Sequence, residues 1–274
     1  MQELKLWRYL SHEKWLLLLQ DKGLFFSRAS NFVDKREGYY DVDGLYSSLG
    51  ELHPESINVI EEARCIGQSI RDRAPKHTYI SCWQNMSGES LRMWEEYVCD
   101  EREGVLIRSD IMSLLLNIPK SLSEIITGKN CKYFKNDSEN LNFNNPFEYK
   151  DDLYSFESEY RLILDSMKMS IMTGFNPDGF GEVLTINKNN EQVPFHETQP
   201  LKNASDDVQI KPGAGFVIKY PLDRIIHEVR VHPLASVSYF SQIRGDLSKA
   251  GIHCPVNHSE ITYEDFSNKK VNKL

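Results

Sequence analysis

Glu157, Glu159 and Arg161, set at alternate positions, carry the densest chemistry in this 274-residue chain. An extended backbone points successive side chains to opposite faces. A strand over 156–164 therefore places Glu157, Glu159, Arg161 and Ile163 on one face and Phe156, Ser158, Tyr160, Leu162 and Leu164 on the other. Two neighbouring carboxylates can divide proton transfer between them or stabilise a developing cation, and an adjacent guanidinium favours the ionised carboxylate. The same stripe on a solvated face is only a local Glu–Arg pair worth little energy. Both readings stay open at this level.

The elements that must position this stripe can be read from period and punctuation. A strand over 4–10 sets Arg8 among Leu4, Leu6 and Leu10, with Trp7 and Tyr9 opposite. A cation among leucines needs an anionic partner, an escape to the strand end, or an anionic ligand for its planar fork. A strand over 77–83 puts Tyr79, Ser81 and Trp83 on one face and Thr78, Ile80 and Cys82 on the other. Ser81 is then either a small sheet residue or a hydroxyl at the floor of an aromatic-lined pocket. Ser11 can cap a helix to about Lys22 with Trp15, Leu16 and Leu19 as its stripe and Gly23 as its stop. Pro54 opens a second helix, to about Arg73, that Pro75 ends, with Ile57, Ile60, Ala63 and Ile70 as core contacts. Further helices are expected near 89–98, 110–116 and 233–250, and strands at 24–28, 104–108, 216–220 and 225–231, with a closing strand from Ile252 onward. The asparagine-rich 136–146 reads as a surface loop. Residues 165–215 are the least regular, a lid or insertion, and 211–215 is a turn or a phosphate cradle.

Composition bounds the rest. With 32 basic and 40 acidic residues the net charge is −8, which disfavours a broad grip on nucleic acid. There is no run of eighteen apolar residues and no secretory pattern at the N-terminus. The five cysteines contain no Cys-x-x-Cys pair and read as reduced thiols of a cytoplasmic protein, Cys82 being a weak nucleophile candidate. His227, His232, His253 and His258 lack metal-ligand spacing, so no metal site is expected. The expected fold is one α+β domain over 1–266, with mixed or antiparallel central sheets flanked by helices and an irregular insertion around 165–215. A frayed tail covers 267–274.

Tyr79-Ile80-Ser81-Cys82-Trp83, Met93-Trp94-x-x-Tyr97, Gly104-Val105-Leu106-Ile107 and Phe156-x-x-Glu159-Tyr160-Arg161 resemble the bacterial domain of unknown function 2971 family. Trp7-Arg8-Tyr9, Leu24-Phe25-Phe26-Ser27 and Asn31-Phe32-x-Asp34 match the same pattern, with Val33-Asp34-Lys35 in place of the usual Asn-Asp-Pro. An arginine on the first strand, a serine on a middle strand and Glu-x-Glu on a later one also resemble the arginine-serine-glutamate class of ADP-ribosyltransferases. Ser81-Cys82-Trp83 stands here where that class has Ser-Thr-Ser.

This second resemblance implies a split sheet and NAD as the substrate cofactor. It assigns Glu159 to catalysis, Glu157 to orienting or deprotonating the acceptor, and Arg8, Tyr9, Tyr79, Ser81, Trp83 and Arg161 to holding NAD. Tyr154 and Phe156 fall in the acceptor-recognition loop. Cleavage of the nicotinamide–ribose bond passes through an oxocarbenium-like species, which a carboxylate stabilises. The expectation is thus an NAD-dependent ADP-ribosyltransferase, a toxin or antiphage effector, with an unknown acceptor, an antitoxin or defence-system partner and no membrane association. A non-catalytic binding or regulatory module of a defence system and a nucleic-acid-processing enzyme are the alternatives.

Overall fold

The computed structural model describes residues 5–34, 37–38, 42–98, 102–134 and 146–262. The chain begins with β1 (Lys5–Ser11), α1 (His12–Asp21), β2 (Gly23–Arg28), α2 (Val42–Leu52), α3 (Ile57–His77), β3 (Thr78–Asn85), α4 (Leu91–Tyr97), β4 (Gly104–Asp110) and α5 (Ile111–Leu116). It continues through β5 (Ile126–Asn130), β6 (Lys132–Phe134), β7 (Tyr149–Asp151), β8 (Glu159–Asp165), α6 (Ser166–Thr173), β9 (Leu184–Ile186) and β10 (Gln192–Pro194). It closes with β11 (Val208–Lys211), β12 (Gly215–Lys219), α7 (Leu222–Ile225), β13 (Glu228–Val231), α8 (Val237–Ala250) and β14 (Val256–His258).

Ten of these strands form one mixed sheet, flanked by helices, in the order β11-β12-β2-β3-β1-β4-β13-β14, with β8 on β3 and β5 on β8. All of its pairs are antiparallel except β13–β14. β3 is the pivot. β8 pairs with it from Thr78 to Gln84. Its other edge is divided, β2 pairing at Tyr79 and Ile80 and β1 at Gln84 and Asn85. The sheet is therefore parted between β1 and β2.

Local sequence explains most of the boundaries. Ser11, Ser90, Asp110, Asp165 and Ser236 each accept a backbone N–H of the following helix. Gly251 closes α8 in a left-handed conformation. In α1 the core takes Trp15 and Leu18, while Leu16 is 43% exposed, so the buried stripe is rotated from the expected one.

α3 departs further. Pro75 lies inside its last turn instead of ending it, since the fixed φ of proline is itself helical and only one donor is lost. None of its described side chains is buried, and Ile57 and Ile70 are exposed rather than core. The helix packs mainly along α2, with Gly67 set against Val42 and Tyr46. Residues 165–215 contain α6, and their last part pairs with the main sheet as β11. The 211–215 stretch is the β11–β12 turn, and Lys211 pairs with Asp21 (2.9 Å), so this lysine is turned away from any cradle there. The segment 136–145 and the tail lie outside the described residues.

None of the described helices is long and apolar enough to cross a membrane.

Candidate functional site

Strand register decides which of the expected site residues can meet. Residues directly opposite in an antiparallel pair share a face. Tyr79, Ser81 and Trp83 stand opposite Leu164, Leu162 and Tyr160, and Leu6 stands opposite Asn85, so Arg8 shares their face over the main hydrophobic core. Gln84 and Cys82 stand opposite Glu159 and Arg161, and Trp7 opposite Gln84, so Tyr9 belongs with the glutamates. The sheet thus separates Arg8, Tyr79, Ser81 and Trp83 from Tyr9, Glu159 and Arg161.

On the first face, Arg8 donates to Ser81 Oγ (2.7 Å) and to the Phe25 carbonyl (3.2 Å), and its guanidinium lies 5.6 Å from the Trp83 ring centroid. It bridges the parting between β1 and β2. Burial pulls its pKa down to about 10. Tyr79 stacks on Phe216 (3.9 Å between centroids), and Trp83 is core.

The expected strand over 156–164 is shorter than its pattern. Residues 152–157 form a tight 3-10 helical turn, Ser158 takes a left-handed φ of 41°, and β8 begins only at Glu159. The turn folds Glu157 back toward Glu159, and both carboxylates meet the Lys150 ammonium, at 2.5 and 3.4 Å. Arg161 reaches Glu159 (3.0 Å), Glu37 (3.2 Å) and the Phe147 carbonyl (2.7 Å), while Lys150 also meets Glu37 (3.3 Å). The Tyr97 hydroxyl donates to Glu157 (2.8 Å). Three carboxylates and two cations are thereby gathered, each residue less than a tenth exposed.

Burial works to raise the Glu159 pKa, but Arg161 and Lys150 outweigh it and bring it down to about 2. Glu157 and Glu37 are moved the other way, since burial prevails over their cationic neighbours. For Lys150 and Arg161, burial is outweighed by the glutamates, and both pKa values rise. Burial pushes the pKa of the half-buried Cys82 thiol well up, which works against the thiolate that a nucleophile needs.

Glu159 Oε1 and Glu37 Oε2 are buried without a hydrogen-bond partner among the described residues. A half-buried rim covers the cluster. The Tyr154 ring stands 4.5 Å from Lys150 Nζ, and the exposed Arg92 lies over the Phe156 ring at 3.4 Å. Tyr9 is close-packed, T-shaped against Trp94, with its hydroxyl accepting the Ser90 N–H (2.8 Å).

Lys150 and Glu37 complete the cluster but carry no periodic signal in the sequence. Lys150 is seven residues from Glu157 and meets it only through the turn between them. Glu37 comes from a distant segment, just past the Asn31-Phe32-x-Asp34 motif. Among the described residues no group of three or more His, Cys, Asp or Glu side chains is arranged to hold a metal ion. No protein-family model matches the chain, and no curated protein matches it.

Proposed function

We propose that this chain is an enzyme of N-glycosidic bond cleavage, with NAD as substrate and ADP-ribose passed to an acceptor, and that Glu157 and Glu159 do the chemistry. The supporting observation is that the two carboxylates share one ammonium while their surroundings move their pKa values in opposite directions. Such divergence is how a carboxylate pair divides its work. Glu159, held ionised by Arg161 and Lys150, stabilises the oxocarbenium-like ribose as the nicotinamide bond breaks. Glu157, with its raised pKa, handles the proton of the incoming acceptor.

The divided pairing of β1 and β2 along one edge of β3 is in keeping with the split sheet that the ADP-ribosyltransferase resemblance implies. Arg8 and Ser81 have no part in it, because they face away from Glu159. Tyr97 on Glu157 and Tyr154 on Lys150 supply the aromatic surface next to the cluster, and the exposed Arg92 lies over the neighbouring Phe156 ring. Activity is measured as nicotinamide released from NAD. Glu159→Gln is expected to lower it by about a hundredfold or more, the size of removing one electrostatic stabiliser of a transition state, with an unchanged near-UV spectrum. No release by the wild type, or equal release by the variant, ends this assignment.

A second reading, a non-catalytic binding module, is favoured by one observation. Glu159 is only 4% exposed and already closed against Arg161 and Lys150, as in a structural ionic knot. A partner that stays bound to Glu159→Gln, with no NAD consumption by either form, is the result that selects it.

A further inference from the structure

At the end of β3 away from Glu159, four donors from four elements close on one carboxylate. Asp178, in the loop after α6, has a side chain only 8% exposed. Its Oδ1 accepts from Arg28 Nη2 (3.4 Å), at the end of β2, and lies 3.1 Å from the Tyr79 hydroxyl on β3. Its Oδ2 accepts from Ser166 Oγ, at the start of α6, and lies 3.3 Å from His77 Nδ1, at the end of α3, and 3.1 Å from the same Tyr79 hydroxyl. Arg28 Nη2 also donates to the Tyr79 oxygen (2.8 Å), so guanidinium and phenol are held as a unit. Arg28 Nε is buried with no acceptor among the described residues. The guanidinium that meets Asp178 thus keeps one donor unsatisfied, a cost that a further acceptor oxygen can remove.

The loop that brings Asp178 is exposed between its points of attachment. Gly174 and Gly179 take left-handed φ values of 74° and 72°, and Asn176, Gly179 and residues 181–183 are exposed. Asn176 closes the turn on itself through Phe180 (2.7 and 2.8 Å). Beside Asp178, the Phe180 ring against His77 (4.6 Å between centroids) ties the turn to the body. Phe175 anchors the start of the loop against the main core, and beyond it the loop meets the body through Asp178 and Phe180. Exposed turns open more readily than the core they lie on.

We propose that Arg28, His77, Tyr79 and Ser166 form a receptor for the phosphate group of a small phosphorylated ligand, which the 174–181 strap keeps closed by lending Asp178 as an internal stand-in. An arginine fork with two hydroxyls and an imidazole suits a tetrahedral oxyanion, whose third oxygen gives Arg28 Nε an acceptor. Tyr79 shares the Ser81 face, so this receptor is separate from the Glu157–Glu159 cluster and does not rest on the activity proposed for it.

The test is a titration of the full chain with inorganic phosphate. Asp178→Asn, which removes the competing charge, is expected to bind phosphate at least tenfold more tightly than the wild type, and Asp178→Asn with Arg28→Gln is expected to lose that gain. In the wild type, phosphate is expected to speed amide exchange across 174–181 while leaving β8 unchanged. A folded Asp178→Asn that binds phosphate no better than the wild type overturns the proposal. So does a 174–181 exchange rate that saturating phosphate does not alter, a result that stands even if the variant fails to fold. An equal response to acetate overturns the phosphate assignment.

Discussion

Lys150 is the residue on which the buried charges balance. It touches Glu37, Glu157 and Glu159, and without it Arg161 alone faces three carboxylates. Removing one partner from a buried ionic group costs about 3–5 kcal/mol, because the charges left behind are uncompensated. Lys150→Met is expected to lose stability of that order in urea denaturation. His232 is a separate titration. Burial pulls its pKa from 6.5 to about 4, and its Nδ1 accepts the Leu234 N–H (3.1 Å), which a protonated ring cannot do. The unfolded chain takes that proton first, so its contribution is fully present above pH 6.5 and is lost as pH falls toward 4. Glu159 follows the opposite case, a depressed carboxylate whose contribution is present above its ordinary 4.5 and lost as pH falls through about 2. Glu157 and Glu37, with raised pKa values, act with the opposite sign, so the His232 contribution is read by difference. Between pH 6.5 and 4 the wild type is expected to lose stability relative to His232→Asn, measured as the change in the gap between their urea midpoints.

At the scale of elements, what varies is how closely backbones approach. A Cβ on Gly215 would stand 2.1 Å from the Phe26 carbonyl oxygen across the β12–β2 pair, a contact that cannot be relieved by turning a side chain. Gly215→Ala is expected to cost about 1–3 kcal/mol, as overpacking does, read as a lower urea midpoint. The start of α1 was legible from its Ser11 cap, and the caps of α4, α5 and α8 work by the same local contact, although α4 and α8 begin later than expected from sequence. Ser11, Ser90, Asp110 and Ser236 act within three residues of themselves. The helix α3 was legible as an element but not in its C-terminal end or its burial, since it runs through Pro75 and its packing against α2 depends on a neighbour that no period within α3 encodes. The glutamate strand failed at its start for a related reason. Alternation continues through Phe156–Ser158, but the turn before β8 overrides it.

For the molecule as a whole, the sheet is the divider. Arg8 joins β1 to Ser81 of β3 and the Phe25 carbonyl of β2 on one side, and the carboxylates occupy the other. Arg8→Gln is expected to lower the urea midpoint while leaving nicotinamide release unchanged. A loss of release equal to that of Glu159→Gln would instead put Arg8 in the site. By itself, the order of residues determined the alternation that pairs Glu159 with Arg161 and Arg8 with Leu6 and Leu10, the Ser11 cap, and most strands, because each follows from neighbours within a few positions. Only the tertiary structure decided that Lys150 and Glu37 join the glutamates, that Asp178 closes on Arg28, and that Arg8 and Glu159 look away from each other. The first two depend on turns and loops that bring distant segments together, and the last on register between distant strands, where a shift of one residue in β3 against β8 would exchange the faces.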